Sequence, residues 1–258
     1  MSKRFLPVLL VLTAACLFVT FQTEGSNNSH DNPKTKNERI LRNVGLLLEE
    51  GHYSPRKIND SFSQLVLKDF IKDLDDDKFI FLQSDIDSFK KFENVIDDEI
   101  HGNSELKSFY YIATIYTKRL AETAEYADIL SKPFDFTKND SIVVNRDKLD
   151  FVKTPADKYE LWNKRLKFLT LSKYMDLLEE RKKNKGKKDF VVKADTTLER
   201  EARNQIKKQI GRYFTTLKNH NTSDEIFSTF VNTITNAMDP HTSYFPPIDA
   251  RSFNESMS

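Results

Sequence analysis

Apolar residues along this chain recur at steps of three and four for long stretches, the spacing that lays one buried stripe along an α-helix. Ile40, Leu41, Val44, Leu47 and Leu48 define a first helix over about 36–50, which Gly51 ends. Asn59 or Asp60 then offers a capping oxygen to a second helix striped by Phe62, Leu65, Val66, Phe70, Ile71 and Leu74. A third helix starts at Ser84 and carries Ile86, Phe89, Phe92, Ile96 and Ile100 up to Gly102, with Asp97, Asp98 and Glu99 on its exposed face. A longer pattern over about 104–130 runs through Leu106, Phe109, Tyr110, Ile112, Tyr116 and Leu120, and reads as the spine of a domain.

Pro133 stops that spine, and 141–146 is the one short strand-like run. Thr154-Pro155 opens the next helix with a capping oxygen and a proline at the first helical position, and its pattern continues to about Leu178. Another helix from Thr196 carries Leu198, Ala202, Ile206, Ile210, Phe214 and Leu217. Ser223 caps the last, which buries Ile226, Phe227, Phe230, Val231, Ile234 and Met238 until Pro240 forbids a further turn. The fold class that follows is all-α: an irregular domain of about eight to ten helices, with no repeat that would make a solenoid.

Composition narrows the function classes. Lys and Arg total 40 against 39 Asp and Glu, so no global field recruits nucleic acid. One local basic run, 181–188, reads as a mobile loop, since Gly186 interrupts it and no aromatics are interleaved. Gly at 6 and Pro at 8 argue against an all-β fold. The single cysteine, Cys16, lies in an N-terminal leader, which leaves the body without disulfides or a thiolate metal site.

That leader has Lys3-Arg4, an apolar run from Phe5 to Phe21, and a polar switch at Thr23-Glu24-Gly25-Ser26, the pattern of an export signal. Residues 1–25 are thus a signal peptide or anchor, and 26–36 a flexible polar tether. Residues 37–247 form the helical domain, and 248–258 link it onward. Cleavage near Gly25 or retention as an anchor is the favoured reading. Lipidation of Cys16 within Leu12-Thr13-Ala14-Ala15-Cys16 is the alternative. Either way the body lies outside the cytoplasm, with the leader its one membrane contact.

Several local motifs carry more than periodicity. Asp239-Pro240-His241-Thr242-Ser243-Tyr244-Phe245 closes the last helix as an aromatic elbow, followed by Phe253-Asn254 and Met257-Ser258. Upstream stand His52, Ser61-Phe62-Ser63-Gln64 and Leu74-Asp75-Asp76-Asp77-Lys78-Phe79. Pro133-Phe134-Asp135-Phe136 and Leu161-Trp162-Asn163-Lys164-Arg165-Leu166-Lys167-Phe168 complete the set. In this order they resemble the N-terminal helical domain of the tail-specific, or carboxy-terminal-processing, serine proteases. Asp76 stands where that family usually has proline.

The resemblance implies an exported, periplasmic endopeptidase that recognises proteins by their C-terminal tails and cuts with a Ser/Lys dyad. That dyad would lie beyond Ser258, so no catalytic residue, cofactor or metal is assigned in this chain. It also implies partners: protein substrates with exposed C-terminal tails, engaged by the part that follows, and a periplasmic adaptor. The competing reading is a stand-alone exported helical binding or adaptor protein without catalysis.

Two acidic groups invite sharper chemistry. Asp75-Asp76-Asp77 lacks the alternating ligands, central glycine and terminal glutamate of a calcium loop, and reads as a solvated helix end. Asp239 and His241 lack a third metal ligand or a nucleophile. Asp239, Pro240, His241, Thr242, Tyr244 and Phe245 are therefore read as structural. The His241 imidazole is expected to donate to the last helix carbonyls, Asp239 to accept from turn N–H groups, and Tyr244 and Phe245 to pack beneath.

Overall fold

A computed structural model describes residues 35–246 apart from Asn139 and His220. The leader with Cys16, the tether up to residue 34 and the segment from Pro247 onward lie outside the described residues, while Thr35 and Lys36, read as the end of the tether, begin the first helix. Eight α-helices are seen among the described residues: α1 Lys36–Glu50, α2 Asp60–Leu74, α3 Gln83–Phe89, α4 Ile96–His101, α5 Ser108–Ala124, α6 Pro155–Asn184, α7 Asp195–Asn219 and α8 Ser223–Met238. Two 3₁₀ segments, Lys90–Phe92 and Glu125–Ser131, join them. None of these helices is long and apolar enough to cross a membrane.

Local chemistry explains the boundaries. Thr35, Thr154 and Thr222 each begin a helix with a capping box, closed by Glu38, Asp157 and Glu225. Thr222, not Ser223, is thus the cap of α8, because its hydroxyl faces the Glu225 N–H three residues on. Asn59 caps α2 by accepting from Phe62 N at 3.2 Å. Gly102 ends α4 at φ 77°, the left-handed backbone that glycine adopts without a Cβ penalty.

The helices fall into two groups. In the first, α1 packs on α4 and α8, α2 on α4 and α8, and α5 on α8. The second is the α6–α7 hairpin, which embraces the 3₁₀ segment Glu125–Ser131. One hydrophobic core spans both groups, and within it rings pair in three sets: Phe70, Phe109, Phe227 and Phe230; Phe81 with Phe89 and Tyr116; and Phe79 with Trp162. Edge-to-face and tilted pairs of this kind add to the burial of the rings themselves.

Tertiary packing overrides the periodicity in several places. The third patterned stretch is α3, a 3₁₀ turn and α4 in succession, so Ile96 and Ile100 bury from a different axis than Phe89. Residues 141–146 form no strand, since among the described residues there is no neighbouring strand to pair with. Lys78 instead gathers the following backbone, donating to the Asp147 and Leu149 carbonyls at 2.7 and 2.5 Å. Helix α6 continues to Asn184, which puts the first half of the basic run on its last turn. There Arg181 pairs with Asp195 at 2.6 Å and donates to Lys193 O. On α1, Leu47 is 70% exposed, and Gly45 takes the buried place between Leu41 and Leu48.

Two carboxylates expected in solvent are inside. Asp75 accepts from Phe79, Ile80 and Phe81 N–H at 2.8–2.9 Å. Glu99 accepts from Lys107 N and Ser108 N at 2.8 Å, and from the Ser108 hydroxyl. Each satisfies a bend of irregular backbone that the core buries, which only an acceptor with several lone pairs can do.

Candidate functional site

The elbow is built where α8 stops. Asp239 N–H still reaches back to Thr235 O, and Pro240 then turns the chain so that Thr242 N–H meets Asp239 O at 2.9 Å. Asp239 Oδ1 accepts from His241 N at 2.7 Å and meets His241 Nδ1 at 2.9 Å, contacts that hold its carboxyl below the ordinary aspartate range. The His241 ring is otherwise in solvent, 93% exposed. It does not reach the helix carbonyls, because its own aspartate claims it first.

The return strand of the elbow is held by a residue with no signature in the sequence. Asn232, on α8, accepts from Tyr244 N at 2.8 Å and donates to Tyr244 O at 3.1 Å, so one amide pairs with both backbone groups of Tyr244. Tyr244 packs against the core, whereas Phe245 is 59% exposed rather than beneath the turn.

His52, from the loop after α1, joins the elbow across the domain. Its Nε2 lies 3.6 Å from Asp239 Oδ2 and 3.5 Å from Thr242 Oγ1. Asp, His and Thr together have the composition of a nucleophile with its base, but the connectivity is wrong. Ser54 N–H donates to His52 Nδ1 at 3.1 Å, which leaves Nε2 as the donor, facing both Asp239 and Thr242. A nitrogen that donates cannot take the Thr242 proton, and the carboxylate does not orient the far side of the ring. The cluster ties the first loop of the domain to its last turn, as does Arg56 N–H on Met238 Sδ at 2.9 Å.

A second feature lies between the two helical groups. In the buried loop 79–82 the Phe79, Ile80 and Phe81 N–H groups are on Asp75 and that of Leu82 on Asp85, while two carbonyls face α6, where Lys158 Nζ donates to Ile80 O and Trp162 Nε1 to Phe79 O at 3.1 Å. Beside this loop opens a cavity of about 370 Å³, whose walls include Phe79, Tyr116, Trp162, Tyr213 and Phe214. Arg165 at its edge lies 4.0 Å over the Phe79 ring and 3.5 Å from Asp77. Burial pushes the Lys158 amine down to about 8 and the Tyr116 hydroxyl up to about 12. Among the described residues no group of three or more metal-ligating side chains is placed to hold a metal.

Two of the sequence motifs thus converge on this cavity, and two others on the elbow. Residues 45–248 match the family described as the tail specific protease N-terminal domain. This chain belongs to that family. The tail-specific protease of Haemophilus influenzae is 31% identical over 215 residues, which cover 82% of this chain and 28% of that relative. The chain therefore spans little more than a quarter of the relative's length. Within this tail-specific protease domain, both the elbow and the cavity lie inside the matched stretch. Sequence reasoning had the elbow and Trp162 in view but missed Asn232, Tyr116 and Lys158. Those sit at ordinary helical positions and acquire meaning only from what packs against them.

Proposed function

We propose that this domain is the access-controlling scaffold of an exported, periplasmic tail-specific serine endopeptidase, which degrades proteins recognised by their exposed C-terminal tails. The observation that carries this reading is the family match over 45–248, which runs through α8 and the elbow. Peptide-bond chemistry then belongs to a Ser/Lys dyad in the part of the relative's length that this chain does not span. Such a dyad needs a Ser hydroxyl as nucleophile and a Lys kept neutral by burial, whose amine takes the hydroxyl proton. The elbow residues Asp239, Pro240, His241, Thr242, Tyr244 and Phe245 act structurally, setting the direction in which the chain leaves the domain. A periplasmic adaptor is a partner compatible with the exposed helical faces.

Purified chain incubated with an unfolded protein bearing an apolar C-terminus is expected to leave it intact. Cleavage that persists through repurification would overturn the assignment of chemistry to the length outside residues 1–258. Export is tested by fusing residues 1–40 to a reporter active only outside the cytoplasm, and a silent reporter would reject it. Mass analysis of the mature N-terminus separates cleavage near Gly25 from lipidation of Cys16.

A further inference from the structure

The cavity beside loop 79–82 opens at the edge of the aromatic core, and the protease reading makes no use of it. Its walls are aromatic, supplied by Phe79 at the start of the loop, Trp162 on α6, Tyr116 on α5, and Tyr213 with Phe214 on α7. Its rim is acidic: Asp73, Asp76 and Asp77 all line it. Asp73 accepts from Thr233, while Asp76 and Asp77 are more than half exposed and held only by Lys72 at 3.8 Å and Arg165 at 3.5 Å. An acidic rim alone would be unremarkable for a helix end. Tyr116 makes it otherwise, because its side chain is 97% buried (3% exposed), lines the cavity, and donates its hydroxyl to none of the described residues.

The geometry points to a binding site for a basic side chain of a polypeptide, a guanidinium or ammonium group on a short apolar stem. The stem would lie against the aromatic walls, and the charged head would meet the ring surface that Arg165 leaves open, the Tyr116 oxygen, the Asp76 carboxylate and the Asp77 carboxylate, the last shared with Arg165. Rings attract cations through the negative potential of their faces, more strongly once water is excluded. The domain already displays the preference: the Arg165 guanidinium lies 4.0 Å from the Phe79 ring centroid and 5.7 Å from that of Trp162. The volume of about 370 Å³ also falls in the range of small-ligand sites, roughly 300–1,000 Å³.

The sequence supplies its own probe, since Trp162 is the one tryptophan in the chain and lines the site. Titration of the whole chain with N-acetyl-arginine amide, followed by Trp162 emission, is expected to give a saturable change. The isosteric but uncharged N-acetyl-citrulline amide is expected to bind about tenfold or more weakly, the worth of a desolvated cation on an aromatic wall. The double substitution Asp76→Asn with Asp77→Asn, both exposed and tolerant positions, should weaken arginine binding by about fivefold and leave the citrulline response unchanged. Tyr116→Phe keeps the ring and should also weaken the arginine complex. A flat titration, an equal response to citrulline, or arginine binding indifferent to the aspartate pair would overturn the assignment.

Discussion

Gly45 and Ile100 meet so closely that a Cβ on the glycine would lie 2.4 Å from Ile100 Cγ2 and 3.3 Å from Ile100 O. This is where α1 crosses α4, and Ile100 is 1% exposed with no room to retreat. Gly45→Ala would add about 1 kcal/mol of helix propensity, yet overpacking of this kind costs about 1–3 kcal/mol. A lower thermal midpoint is expected. Ile100→Ala in the same chain should make the glycine substitution far less harmful, a coupling that thermal melts of the four variants would measure. Purely additive effects would place the strain elsewhere.

Asp75 is expected to be the most costly single carboxylate to remove. Asp75→Ala strands three buried N–H groups, each worth about 1 kcal/mol or more when unsatisfied, so a loss of about 3 kcal/mol or more is expected in denaturant unfolding. Asp76→Ala, one residue on but exposed, should change stability by less than about 0.5 kcal/mol. Similar midpoints for the two variants would refute the role given to Asp75.

Glu99 sets a pH dependence. Burial, as the leading cause, pushes its carboxyl above the ordinary range. The folded state therefore holds this proton longer than the unfolded state. Its contribution is fully present below the unfolded pKa and is lost as pH rises through the folded one. Glu99→Gln resembles the protonated form and should match wild type at low pH, then become relatively more stable above that window. A difference between the two that stays constant from acid to neutral pH would sink the account.

Lys158 gives the opposite window. Its amine is buried with Ile80 O as its hydrogen-bond acceptor, and desolvation pushes it down to about 8. Between about 8 and the unfolded value of about 10.4 the unfolded state binds more protons, so stability attributable to this group rises with pH. Lys158→Met should gain most relative to wild type below pH 8, and that advantage should shrink toward pH 10. Melts of both proteins across this range decide it; an advantage that grows with pH would be the wrong sign.

At the elbow, the amide of Asn232 is expected to matter more than the imidazole of His241. Asn232→Ala frees both backbone groups of Tyr244 and should open the elbow to limited proteolysis near Tyr244 and Phe245. His241→Ala removes a ring already 93% exposed and should leave the cleavage pattern close to wild type. Greater sensitivity in the histidine variant would restore the ring to a structural position that the hydrogen bonds do not give it.

Read alone, the sequence determined the all-α class, most helix starts and the stop at Pro240, because periodicity, capping boxes and proline act over a few neighbouring residues. It also carried the motifs that mark the family. What only the tertiary structure decided is where polar groups go. Asp75 and Glu99 belong to charged runs that look solvated, and nothing within a few residues says that a later bend of backbone will need their oxygens. Leu47 fits the stripe of α1 yet faces out, because α4 approaches over Gly45 instead. His52 and Thr242 are 190 positions apart, and Phe79 and Trp162 are 83. Such pairs cost chain entropy to bring together, and only the summed burial of two helical groups overcomes it, so their chemistry is written in the packing and not in any local stretch.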